Sequence, residues 1–174
     1  MPRMVTVRLH EDVDIPTELL DALERGELAF FVGAGASKAP PSNLPDFRGL
    51  VDRIADSAAA GPYDGITPFD KFLGDLERAN VDVNQIASRL LREANGEPNA
   101  VHHAVVRLAN ASKAPKIVTT NFDELINIAW EEENGPCQQW IGPALPLGDD
   151  FEGIVQLHGS LSGRITDWVL TDRS

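Results

Sequence analysis

The chain is short of cysteine, of basic charge and of long apolar runs, and each shortage removes a class of protein. Cys137 is the single cysteine among 174 residues, so the chain can form no intramolecular disulfide and no four-cysteine zinc site of its own. That usage suits a reducing compartment, and a cytoplasmic location is expected. Only 15 Lys and Arg face 27 Asp and Glu, for a formal net charge of −12. So acidic a surface repels phosphate backbones, and direct nucleic-acid binding is not expected. One dinucleotide is still admissible, because backbone N–H groups can build a local anion pocket. No apolar run approaches the roughly 20 residues of a membrane-spanning helix. The stretch from Met1 to Arg8 lacks the apolar core of a signal peptide.

What is present is an ordinary globular composition, 43% hydrophobic and 24% charged, at a length that fits one domain with its own core. Val5 to Leu9 alternates and reads as an edge strand or a loose arm. A helix is expected from Ile15-Pro16, with Thr17 as its cap, Leu19, Leu20 and Leu23 on one face, and Gly26 as its end. Residues 1–27 are therefore set apart as an N-terminal arm and helix, and 28–174 as the main domain. Leu28-Ala29-Phe30-Phe31-Val32 is a continuous apolar run, as in a parallel strand buried on both faces. The three prolines between Ala39 and Pro45 make a loop. Helices are expected over Phe47–Ala60, Phe69–Ala79, Val83–Ala94 and Asn99–Asn110, the last with Val101, Val105 and Leu108 as its inward stripe. A second strand, Lys116 to Thr120, precedes Asn121-Phe122-Asp123 and a helix through Leu125, Ile126 and Trp130. A turn-rich connection from Gly135 to Gly148 leads to a third strand, Gly153 to Leu157, which ends at His158-Gly159-Ser160. The alternation predicts an α/β domain, a Rossmann-like parallel sheet with a helical insertion. Ligands of such sheets bind at the carboxyl ends of the strands.

Gly33-Ala34-Gly35-Ala36-Ser37 follows the first apolar run without a gap. Glycine there permits a tight turn with positive φ and lets backbone N–H groups approach a pyrophosphate. Ser37 is placed to cap the next helix or to bond a ligand. The third glycine of a dinucleotide fingerprint would fall at Lys38, so the loop by itself is equally readable as a plain strand-to-helix turn.

Three segments in order carry more weight: Gly33-Ala34-Gly35-Ala36-Ser37 with Leu44-Pro45-Asp46-Phe47-Arg48, then Thr120-Asn121-Phe122-Asp123, then His158-Gly159. Together they resemble the sirtuin family of NAD-consuming enzymes, over about residues 28–171. More closely they resemble the sirtuin-like domains of bacterial antiphage NADases, in the Asn-Phe-Asp form preceded by Thr-Thr. The resemblance implies that Gly33, Ala34, Gly35 and Ser37 line the phosphate and ribose site. It implies that Asp46, Phe47 and Arg48, with Pro45, form a mobile flap over the nicotinamide. Thr120, Asn121 and Asp123 would meet the ribose and the carboxamide, and His158 would be the general base. It implies no metal, because the four-cysteine zinc module of deacetylating sirtuins has no counterpart here. A partner protein of a defence system, a further domain of a longer chain, or an oligomer is expected beside NAD. Sirtuin-like domains continue past the His-Gly strand, so a sheet truncated there, with a bare edge, is expected.

The residues fit that chemistry. Cleaving the nicotinamide–ribose bond passes through an oxocarbenium-like state, and nicotinamide leaves without needing a proton. Orientation, a water and a base are required. Asn121 offers an amide donor and acceptor, and His158 has a suitable unperturbed pKa near 6.5. Plainer readings stay open: Asn121 as a helix N-cap, Asp123 as a first-turn carboxylate, His158 as a turn histidine, Asp46 and Arg48 as a salt bridge, and Phe47 as core. His10, His102 and His103 are not expected to be catalytic, nor is Cys137. The leading expectation is an NAD glycohydrolase that serves bacterial antiphage defence. The alternatives are an NAD-dependent protein deacylase or ADP-ribosyltransferase, and a non-catalytic nucleotide-binding domain.

Overall fold

The computed structural model describes residues 6–11, 13–147 and 151–171. Val5, Gly148 and Ser174 lie outside the described residues. The architecture is the expected α/β one, a parallel sheet with helices. Its four-stranded sheet comprises β3 (Phe30–Val32), β4 (Lys116–Thr119), β5 (Gln139–Ile141) and β6 (Gly153–Gln156), in the order β3-β4-β6-β5. All three pairings are parallel.

The N-terminal segment differs from expectation. β1 (Thr6–His10) and β2 (Val13–Pro16) form a separate antiparallel hairpin, and α1 (Thr17–Arg25) begins only after it. The N-cap is Pro16, with no side-chain cap, so Thr17 is the first helical residue and not the cap. Gly26 ends α1 as expected, in the left-handed conformation (φ 76°) that glycine adopts without steric cost.

The helical insertion follows the sequence pattern closely. α2 (Phe47–Ser57), α3 (Phe69–Arg78) and α4 (Val83–Ala94) pack on one another, burying Leu50, Val51, Ile54, Leu73, Val83 and Ala87. The same cluster takes in Phe122, Trp168 and Leu170, so the end of the described chain folds back onto the insertion. A second cluster joins the sheet to α5 (Ala100–Asn110) and α6 (Leu125–Asn134) through Val32, Val106, Ile117, Ile126, Trp130 and Ile154.

Three further expectations are corrected. β3 is at the edge of this sheet among the described residues, and Phe31 is 76% exposed, so the run is not buried on both faces. α5 buries His102, Val106 and Ala109, while Val101 and Leu108 are exposed. The buried stripe is thus set one position away from the valine stripe, and it takes in a histidine. The connection from Gly135 contains a strand, β5, which covers one side of β6. The His-Gly strand β6 therefore lies inside the sheet between β4 and β5, and among the described residues the sheet edges are β3 and β5.

Candidate active site

Val32, Thr119 and Gln156 are in register across β3, β4 and β6, so the segments that follow them leave the sheet side by side. These segments carry Gly33–Ser37, Thr120–Asp123 and His158-Gly159. Parallel pairing thereby assembles three distant stretches at one sheet end. Side chains reinforce the assembly. Thr119 Oγ1 donates to the Val32 carbonyl (2.8 Å) and accepts from the Asn121 N–H (3.0 Å). Gln156 Nε2 donates to the Asp123 carbonyl at 3.2 Å. Trp168, 1% exposed, stacks on Phe122 at 4.4 Å and donates from Nε1 to the Ser160 carbonyl.

A cavity of about 490 Å³ opens at this sheet end. Of the residues singled out in the sequence, Ala34, Pro45, Phe47, Thr120, Asn121, Asp123 and His158 line it, while Gly33, Gly35, Ser37, Asp46 and Arg48 do not. Leu44, Leu50 and Leu91 add an apolar wall, joined by Asp70 from α3 and by Val169, Leu170 and Thr171. None of the last four was visible as a site residue, because nothing in their local sequence marks them. A smaller cavity of about 290 Å³ shares Leu44, Leu91 and Asp123 with the first.

The glycine loop departs from its expected geometry. Gly33 is extended (φ −111°, ψ 176°), and Ala34–Ser37 form one turn of 3-10 helix, so neither Gly33 nor Gly35 has positive φ. A Cβ added at either would meet nothing within 4 Å. The chain itself makes no demand for glycine here, and the exposed backbone stands open to a ligand. Ser37, by contrast, is 1% exposed and caps no helix. Its Oγ lies 3.0 Å from Asp123 Oδ2, 3.1 Å from His102 Nε2 and 3.3 Å from Asn121 Nδ2.

The flap segment is the start of a helix. Asp46 is the N-cap of α2, accepting the Gly49 N–H at 2.9 Å, and pairs with Lys38 Nζ at 2.7 Å. The ion pair is thus with Lys38 and not with Arg48, which is exposed. The Lys38 bond, followed by the Gly49 N–H, holds the Asp46 carboxyl below its ordinary range. Phe47 meets Phe69 edge-on at 5.4 Å and packs against the insertion core as well as lining the cavity.

Asn121 caps no helix; the residue before α6 is Glu124. Asn121 is buried, and its Oδ1 has no hydrogen-bond partner. An unpartnered buried amide oxygen costs on the order of 1–3 kcal/mol, so an acceptor kept in this state at a cavity wall fits a ligand hydroxyl or water. Asp123 Oδ1 accepts the Leu125 N–H at 3.1 Å, the first-turn role allowed for above. Burial pushes its carboxyl above the ordinary range, against the bonds from Leu125, Ser37 and Asn121. His158 is half-buried beside Phe122, and burial pushes its imidazole pKa down. Gly159, at φ +104°, is required where it stands: a Cβ would lie 2.7 Å from Trp168 Cδ1.

Comparison with known proteins gives a family match for part of the chain. Residues 115–174 match the family model described as a SIR2-like domain. The chain is 33% identical over 175 aligned residues to the uncharacterized protein y4cA of Sinorhizobium fredii, an alignment that covers 90% of this chain and 14% of that protein. It is 34% identical over 102 residues to an NAD-dependent protein deacetylase of Staphylococcus epidermidis, covering 57% of this chain and 38% of that enzyme. The chain thus spans well under half the length of these relatives. The match over residues 115–174, on a parallel α/β sheet, supports a sirtuin-like domain. Among the described residues, no helix is long and apolar enough to cross a membrane.

Proposed function

We propose that the chain is an NAD glycohydrolase module, cleaving the bond between nicotinamide and ribose, and that it serves as an effector in bacterial antiphage defence. The observation that carries the reading is the pairing of Asn121, with its unpartnered Oδ1, and His158 on the wall of one cavity next to an open glycine loop. The open backbone at Gly33 and Gly35 suits the pyrophosphate. The apolar wall with Phe47 suits the nicotinamide ring. Asp123 suits the carboxamide NH₂ or the positive charge that develops on the sugar.

In hydrolysis the C1′–N bond breaks and its electron pair leaves with nicotinamide. Water adds its oxygen to C1′ and releases one proton. Asn121 Oδ1 orients that water or a ribose hydroxyl, and His158, kept neutral by burial, accepts a proton. The defence role rests on the likeness of Thr119-Thr120-Asn121-Phe122-Asp123 to the antiphage domains. The partner of that role, whether a second protein, a further domain or another copy, belongs to the same proposal.

A second reading is an NAD-dependent deacylase or ADP-ribosyltransferase, favoured by the 34% identity to the staphylococcal deacetylase. The two are separated by incubating the protein with NAD, with and without an acylated peptide. Release of equal nicotinamide and ADP-ribose without peptide supports hydrolysis. Release that depends on the peptide supports deacylation.

A further inference from the structure

Beneath the cavity lies a histidine that the chemistry above does not use. His102, on α5, is 1% exposed and does not line the cavity. Its Nδ1 accepts the Asn99 N–H at 3.1 Å, closing a capping box in which Asn99 Oδ1 accepts the Val101 and His102 N–H groups. A nitrogen that accepts carries no proton, so the neutral ring carries its proton on Nε2. The bond to Ser37 therefore has a direction: Nε2–H donates to Ser37 Oγ at 3.1 Å.

That direction governs the next two bonds. Asn121 Nδ2 also donates to Ser37 Oγ, so the hydroxyl proton of Ser37 has Asp123 Oδ2 as its acceptor. With the opposite tautomer, His102 would accept the Ser37 proton in competition with Asp123. With the Nε2–H tautomer that the α5 cap sets, the Ser37 oxygen accepts from two sides and its proton is committed to Asp123. The Asn121 amide is then turned with nitrogen toward Ser37 and oxygen left over as the unpartnered acceptor. Although serine, histidine and aspartate meet here, they form no nucleophilic triad. The histidine donates to the serine through Nε2–H, and its lone pair, on Nδ1, is taken by the Asn99 N–H, so it cannot take the serine proton.

We propose that His102 is a positioning residue of this site: held in its Nε2–H tautomer by the α5 cap, it orients Ser37 toward Asp123 and so sets Asn121 Oδ1 as the acceptor at the cavity wall. The proposal rests on the reading of the cavity as an NAD site, but its test does not depend on turnover.

Two substitutions separate the cap from the site. His102→Asn keeps an acceptor near the Nδ1 position for Asn99 and removes the donor to Ser37. His102→Gln reaches the Nε2 position with a donor and removes the acceptor for Asn99. The titration of the Asp123 carboxyl is followed by ¹³C NMR in the 174-residue chain without NAD, with Asp123→Asn assigning the signal. His102→Asn should move the midpoint up, because a hydroxyl with one donor fewer is a weaker donor in turn. His102→Gln should leave it at the wild-type position. With NAD, His102→Asn should lower kcat about tenfold at nearly unchanged KM, and His102→Gln should retain most activity. An unchanged Asp123 titration in His102→Asn, or activity that follows only the thermal stability of the two variants, overturns the proposal. Should His102→Asn fail to fold, His102→Gln decides: a wild-type Asp123 titration supports the proposal and an upward shift overturns it. If no form of the protein consumes NAD, the function assigned above fails, while the Asp123 titration still decides the role of His102.

Discussion

Ser37 donates a 3.0 Å hydrogen bond to Asp123 Oδ2, joining the loop after β3 to the loop after β4 across 86 residues of sequence. Both groups are buried, so the bond is shielded from competing water and the two loops hold one relative position. Ser37→Ala leaves Asp123 Oδ2 and the His102 Nε2–H without this partner. A loss of about 1–3 kcal/mol is expected from groups so orphaned, read as a lower denaturant midpoint, together with weaker NAD binding.

Asn121→Ala and His158→Ala should each lower nicotinamide release by about 10²- to 10⁴-fold, the range for removing a positioned acid–base group. His158 is half-buried and its side chain makes no hydrogen bond among the described residues, so His158→Ala should leave the melting temperature nearly unchanged. Circular dichroism of both variants checks that the fold persists.

The glycine loop gives a prediction of opposite kind. Since a Cβ at Gly33 or Gly35 meets nothing within 4 Å, Gly33→Ala and Gly35→Ala should fold as well as the wild type. If the dinucleotide lies against this backbone, calorimetry should show weakened NAD binding in both. Unchanged binding would move the pyrophosphate elsewhere.

The buried histidines predict the acid behaviour. Burial, with the neighbouring charge of His103, lowers the His102 pKa from 6.5 to about 4. A group that binds protons more weakly folded than unfolded contributes its full stability above pH 6.5. It loses that contribution as pH falls from 6.5 to about 4, by about 3 kcal/mol at most. Asp123, pushed up by burial, acts with the opposite sign, so the measurement is the difference between wild type and His102→Gln: urea midpoints should decline less steeply in the variant over this range. His158 is also pushed down by burial, so if it is the base of the proposed hydrolysis, the acid limb of kcat should fall below pH 6.5, because the neutral base persists to lower pH.

Much of this was legible in the sequence because local pattern and tertiary structure agree there. The prolines of residues 39–45, the apolar spacing of Leu50, Val51 and Ile54, and polar residues directly after apolar strands each speak through nearest neighbours. The failures arise where a distant contact overrides the local signal. On α5 the valines at 101 and 105 make the stronger stripe, yet α5 buries His102, because Ser37 and the Asn99 cap satisfy its nitrogens. A polar residue three positions after the N-cap asparagine was the available signal. β5 is three residues long in a proline-rich stretch and exists because β6 offers an edge to pair with. Trp168 carries no local mark of its stacking on Phe122, and Asp70 none of its place at the cavity.

The most direct measurement of the central claim is the product balance from NAD in the absence of any acylated peptide, run on the wild type, Asn121→Ala and His158→Ala. The account predicts nicotinamide and ADP-ribose in equal amounts from the wild type and near-complete loss of both in the two variants. Release that persists unchanged in both variants, or that appears only when an acyl-lysine peptide is supplied, would contradict it.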